Sequence, residues 1–145
     1  MVEENLALAR RWFDEVWNQK RTEAIRELVG PNCVAHGTSE TGGDLYGPDG
    51  WLELHARLIG AFPDLHIELQ DVVGVDDKIA VRWTATMHHH GDGLGIPATG
   101  AALTFGGMGF ARISAGKVVE TWDLWDRMAM FQQIEAASKA KSAQA

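Results

Sequence analysis

Apolar residues follow two different spacings in the two halves of the chain. Leu6, Ala9, Trp12, Phe13, Val16 and Trp17 recur at three- and four-residue steps and predict a helix over residues 2–18. Thr22 is placed to cap a second, short helix carrying Ile25, Leu28 and Val29, which Gly30-Pro31 stops. A short extended piece over residues 32–36 leads into residues 37–47, rich in Gly, Ser, Thr and Asp without periodicity, and therefore a loop. Pro48 and Asp49 open a third helix, with Leu52, His55, Leu58 and Ile59 at helical spacing until Phe62-Pro63 breaks it.

From Leu65 the period becomes two. Leu65, Ile67, Leu69, Asp71 and Val73 alternate with His66, Glu68 and Gln70, as in a strand with one wet face. Asp76-Asp77 turns the chain into Ile79, Val81, Trp83, Ala85 and Met87, opposed by Ala80, Arg82, Thr84, Thr86 and His88. Residues 88–100 carry four glycines and a proline and predict a loop, within which Gly91-Asp92-Gly93-Leu94-Gly95 reads as a mobile lip over a pocket mouth. Residues 101–113 make a third long strand, where Gly106, Gly107 and Gly109 imply a bulge or a close approach.

A fourth strand, residues 116–126, places Val119, Thr121, Asp123 and Trp125 on one face. Val118, Glu120, Trp122, Leu124 and Asp126 fall on the other. Large apolar groups on both faces predict an inner strand, covered on both sides. Residues 127–137 read as a last helix and 138–145 as a frayed, disordered tail. Helices followed by a meander of long strands imply a single α+β domain over residues 1–137. In the expected geometry a curved antiparallel sheet wraps the N-terminal helices as a cone and encloses an apolar pocket.

Composition narrows the function. A chain of 145 residues forms one domain, burying about 68% of the surface its unfolded form exposes. A net charge of −7 with no basic run argues against nucleic acid or an anionic membrane as partner. The acidic opening differs from a signal peptide and no apolar run reaches a membrane span, so the expectation is a cytoplasmic protein. Cys33 stands alone beside Val34 and Ala35, as a small buried side chain rather than a nucleophile. Six tryptophans suit an aromatic-lined interior.

Asp123 carries the candidate chemistry. A carboxylate between Trp122 and Trp125 on an inner strand is costly unless it has a partner or a task. Burial would raise its pKa towards a working base, whereas pairing with Arg82 on a neighbouring strand would lower it. A structural Arg82–Asp123 ion pair is the plainer alternative. The run His88-His89-His90 sets His88 and His90 on one face, but no third ligand is placed nearby, so a solvated strand end is expected and no metal. Gly91-Asp92-Gly93-Leu94-Gly95 opens no helix and so lacks the anion site of a phosphate loop.

Four segments together, Phe62-Pro63-Asp64-Leu65, Ala80-Val81-Arg82-Trp83-Thr84, Gly95-Ile96-Pro97-Ala98-Thr99-Gly100 and Gly116-Lys117-Val118-Val119-Glu120-Thr121-Trp122-Asp123, resemble the SnoaL-like polyketide cyclases. These belong to the nuclear transport factor two-like superfamily. The resemblance implies a cone with a deep apolar pocket, a homodimer or higher homo-oligomer, and ring closure by intramolecular aldol condensation without metal or organic cofactor. It implies Asp123 as acid/base and His36 as a polar pocket residue. Two departures stand out. Gly107 and Gly109 occupy the places of a Gln and a His in such cyclases, which removes a proton partner and enlarges the cavity. Similar limonene-type epoxide hydrolases use Asp-Arg-Asp and Tyr-x-Asn sets. Here Arg82 and Asp123 supply part of the first, with Thr84 in place of an acid, while Val34 and His36 replace the second.

The expectation is therefore a cofactor-independent enzyme for a hydrophobic, carbonyl-bearing or polycyclic small molecule. Asp123 acts as acid/base, His36 as its polar partner and Arg82 as the orienting group. Trp125, Trp83, His55 and Thr121 line the pocket. The alternatives are an epoxide hydrolase or isomerase in the same pocket, and a non-catalytic ligand-binding or dimerisation module.

Overall fold

A computed structural model of the chain describes residues 2–144. Helix α1 (Val2–Arg11) continues as a π-helical stretch, Trp12–Asn18, closed by Gln19 N–H donating to the Asp14 carbonyl at 2.8 Å, five residues back. The predicted single helix is thus wound more loosely in its second half, where Phe13, Val16 and Trp17 are all buried. Helix α2 (Glu23–Leu28) passes directly into β1 (Val29–His36). That strand begins three residues earlier than the sequence suggests, because Gly30-Pro31 falls where the register of β1 is irregular and a proline removes no ladder bond. Strand β2 (Leu45–Tyr46) and helix α3 (Gly47–Ala61) follow, then β3 (His66–Val75), β4 (Lys78–His88), β5 (Ala102–Ser114), β6 (Lys117–Trp125) and α4 (Arg127–Gln144).

The six strands form one curved, unclosed sheet in the order β2-β1-β6-β5-β4-β3. Strand β6 is an inner strand, as its composition predicts, flanked by β1 and β5. The sheet is mixed rather than purely antiparallel. Strands β3 to β6 form the meander, but β1 joins β6 in parallel, since more than half of the chain separates them and no hairpin dictates direction. Helix α1 and the π-helical stretch pack on β3, α3 packs on β1, and α4 covers β5 with Met130 and Ile134.

Register fixes which side chains share a face. Val81, Gly109 and Asp123 stand in one inward row, Trp83, Gly107 and Trp125 in the next, both facing the helices. Ala80, Phe110, Trp122 and His36 form an outward row, followed by Arg82, Met108 and Leu124. A bulge opposite Arg112 and Ile113 adds Val119 to β6 and turns Val118 inward beside Thr121, against simple alternation.

Strand β6 is covered on one face only within this chain. Trp122 is 41% exposed and Leu124 77%, beside Met108 at 59% and Phe110 at 58%. The expected frayed tail also differs. Helix α4 runs through Gln144, because Ala, Lys and Gln are strong helix formers and Glu135 pairs with Lys139 one turn on. Residue 145 lies outside the described residues. Among those described, no helix is long and apolar enough to cross a membrane.

Candidate active site

Two small apolar cavities, of about 50 and 70 Å3, lie between the inward rows of the sheet and the helices. Trp12, Phe13, Trp51 and Asp123 line both. The first continues along Val29, Ile79 and Val118 and takes in Thr121. The second runs past Trp83, Phe105 and Trp125 towards Leu58 and Met87. Their size is far below the ~300–1,000 Å3 of common ligand pockets. Aromatic walls fill the room that the sequence assigned to an open pocket.

The glycines of β5 explain part of this. A Cβ on Gly109 would collide with Asp123 Oδ1, and one on Gly107 would collide with Trp83 Cζ2. These glycines therefore do not leave empty space. They let the carboxyl of Asp123 and the indole of Trp83 lie flat against the strand.

Asp123 sits where burial is deep. Its remaining accessible surface borders the two cavities, which reconciles partial exposure with a strongly desolvated carboxyl. Desolvation pushes its pKa up from 3.8 to about 6. Thr121 and then Thr38 pull weakly in the other direction. Thr38 Oγ1 donates to Asp123 Oδ2 over a long 3.4 Å, while the Thr121 hydroxyl lies close but makes no well-formed hydrogen bond. Among the described residues, no Lys, Arg or His lines either cavity.

Arg82 is not the partner of Asp123. It stands in the outward row, where Nε donates to Asp71 Oδ2 and Nη1 to Gln70 Oε1, both at 2.7 Å. Neither an Arg82–Asp123 ion pair nor the Asp-Arg part of a hydrolase set is assembled. His36 also faces outward, because it stands beside Trp122 in register. Its ring stacks on Trp122 at 5.4 Å and its Nε2 meets Glu120 Oε2 at 2.8 Å. Arg112 holds the other oxygen of Glu120 at 2.8 Å, and Arg112 and then His36 keep that carboxyl below its usual range.

The other expected pocket residues divide. Trp83 and Trp125 wall the second cavity and Thr121 the first. His55 lines neither. Its Nε2–H donates to the Val16 carbonyl at 2.8 Å, a group at the loose end of the π-helical stretch, and burial lowers its pKa so that the ring stays neutral. Cys33 is buried and its thiol is pushed up to about 11, chiefly by desolvation.

The histidine run is drawn into other contacts. His88 Nδ1 meets Asp64 at 2.6 Å, His90 stacks on His88, and His89 bonds Thr99. Among the described residues no three metal-ligating side chains converge. Residues 89–101 are not a free lip either. Gly91 N–H donates to the Ala61 carbonyl, Gly91 and Gly93 lie hard against the backbone of α3, and no residue of this loop lines a cavity.

Sequence reasoning passed over the residues that close the site. Loop residue Thr38 reaches Asp123, and its carbonyl accepts from Trp125 Nε1 at 2.8 Å. Arg127 donates to the carbonyls of Gly37 and Ser39 and lies over the Trp125 ring, clamping this loop. Trp51 walls both cavities, and its Nε1–H has no partner. It lies four residues before His55 on α3, so helical spacing did mark it.

A sequence model of the SnoaL-like polyketide cyclases matches residues 7–134. No functionally curated protein matches the chain. Among solved structures, a candidate SnoaL-like polyketide cyclase from Jannaschia sp. CCS1 is similar with TM-score 0.83 at 23% identity, covering 93% of this chain and 94% of that one. IdmH, a candidate polyketide cyclase from Streptomyces antibioticus, is 26% identical with TM-score 0.75 over 89% of this chain and 96% of its own. AclR, a candidate hydroxylase from Streptomyces galilaeus, is 26% identical with TM-score 0.80 over 94% and 98%.

Proposed function

The chain belongs to the SnoaL-like polyketide cyclase family, and from that membership we propose that it is an enzyme of acid/base carbonyl chemistry with Asp123 as its base. The observation that carries the reading is a carboxyl without a cation, raised to about 6 and bordering two apolar cavities. A base of this strength is half charged near pH 6 and can take and return a proton within one cycle. In an aldol cyclisation Asp123 removes the proton from a carbon beside a carbonyl, and the enolate carbon attacks a second carbonyl of the same molecule. The resulting alkoxide recovers the proton from Asp123. An isomerisation uses the same first step and returns the proton to a different carbon. No metal or organic cofactor is required by either sequence of steps.

The cavities constrain the substrate. Trp12, Phe13 and Trp51 divide them, so a bicyclic or larger ketone enters by turning these rings and occupying both spaces. Epoxide hydrolysis is less well supported, since Arg82 faces away from Asp123. The test uses 2-tetralone, a small bicyclic ketone, in deuterated water. The protein should accelerate exchange of the protons beside the carbonyl, and Asp123→Asn should abolish the acceleration. Equal rates for protein, variant and buffer would refute the reading.

The outward face supports a homodimer, with a second copy as occupant. Phe110, Trp122, Met108 and Leu124 form a contiguous apolar strip. The charges flanking it are already paired, Arg82 with Asp71 and Arg112 with Glu120 and His36, so two copies can meet there without an unmatched charge.

A further inference from the structure

Buried hydrogen-bond donors rarely go without an acceptor, and Trp51 Nε1–H does so on a side chain that lines both cavities. The residue is 6% exposed and walls both cavities together with Asp123. Its ring makes an edge contact with Trp12, at 4.9 Å between centroids and 78° between planes. A ring face is a weaker acceptor than an oxygen, so this contact does not replace a hydrogen bond. An indole N–H can only donate. The other polar side chains here are already engaged or can turn to Asp123. Trp125 Nε1–H is held by the Thr38 carbonyl, the one Thr38 hydroxyl proton has both Asp123 and the His36 carbonyl within reach, and the Thr121 hydroxyl is free to rotate towards Asp123.

We propose that Trp51 Nε1–H receives the substrate's carbonyl oxygen and stabilises the negative charge that gathers there during proton removal. The proposal rests on the reading of Asp123 as base and assigns the oxygen-binding group of the same site. When Asp123 takes the proton beside the carbonyl, the C–H electron pair forms a new C=C bond. The carbonyl π pair moves to oxygen, and the Trp51 hydrogen bond strengthens while its proton stays on nitrogen. The return of the proton from Asp123 restores the carboxylate. Among the described residues lining the cavities none is cationic and Asp123 alone is charged, so the ligand class is a neutral ketone on a flat apolar body. Carboxylate-bearing ligands are repelled.

The experiment follows the indole N–H resonances of protein labelled with 15N-tryptophan while 2-tetralone, or its hydrocarbon tetralin, is added. The Trp51 signal is identified by its absence from Trp51→Phe, which keeps an aromatic wall and removes the donor. It should move downfield with 2-tetralone and not with tetralin. Trp51→Phe should bind 2-tetralone about tenfold more weakly, the loss of one hydrogen bond, and bind tetralin unchanged. Equal shifts with both ligands, or equal changes in affinity for both, would overturn the assignment. If Trp51→Phe fails to fold, the wild-type titration decides the matter alone, with the resonance identified through its contacts with the Trp12 ring. Asp123→Asn separates this proposal from its premise. The downfield shift persists in that variant if Trp51 binds the oxygen, whatever the outcome for the base.

Discussion

Replacing Asp123 by Asn should make the protein more stable at neutral pH, and the sign follows from the direction of its pKa shift. In the folded protein the carboxyl titrates at about 6, against 3.8 without burial. Below pH 3.8 it is protonated in both states and burial costs little. As pH rises from 3.8 to 6 the unfolded chain releases its proton first, so the folded state loses stability across that window. A shift of about two units at ~1.4 kcal/mol each gives a cost of about 3 kcal/mol, fully present above pH 6. Asn cannot ionise and avoids it. Thermal melts of the two proteins should coincide near pH 3.5. They should separate by about 10 °C in favour of Asp123→Asn at pH 8, given roughly 3 °C per kcal/mol for a chain of this size. A variant that melts at or below the wild type at pH 8 would refute the reasoning. An ion-paired structural carboxylate gives that result, because its replacement strands a buried cation.

The other expectations are briefer. The rate constant kcat/KM should rise about tenfold per pH unit below pH 6 and level off above it, as the carboxylate form of Asp123 accumulates; a profile that falls with pH would show the acid form at work. Gly109→Ala drives a methyl into Asp123 Oδ1 and should displace the carboxyl, costing roughly 1–3 kcal/mol in a denaturant titration and most of the exchange activity. Arg82→Ala and His36→Ala should leave that activity within about twofold and stability within ~1 kcal/mol, since both side chains make partly exposed outward pairs. Leu124→Lys should shift sedimentation from dimer to monomer without changing the circular-dichroism spectrum, and an unchanged sedimentation coefficient would remove the outward face as an interface.

The sheet was readable because its strands alternate and its turns carry the expected residues. The face of each residue was readable only where alternation was unbroken. In β4 the pattern itself grouped Arg82 with Thr84 and Thr86, away from Val81 and Trp83, yet the expected pairing with Asp123 rested only on taking the two strands as neighbours and not on which face each residue takes. His36 was harder, because the orientation of β1 depends on parallel pairing with a strand some 85 residues away. Val118 escaped through the bulge. Thr38 lies in a loop held by Arg127 and Trp125, contacts with no local signature. Trp51 and the full length of α4 did leave signals, helical spacing in one and Ala-rich composition in the other.

The slack winding at residues 12–18 makes the aromatic wall a matter of phase. Trp12, Phe13, Val16 and Trp17 share a side at ordinary helical spacing already, and the wider turns draw them into a narrower arc, where Phe13, Val16 and Trp17 are buried. Removing a single residue there would rotate part of the lining and would also shift the contacts that Glu15, Val16 and Asn18 make with Arg21, His55 and Ile67. Relatives that differ by one residue at this point would be accepting differently shaped guests behind the same carboxylate.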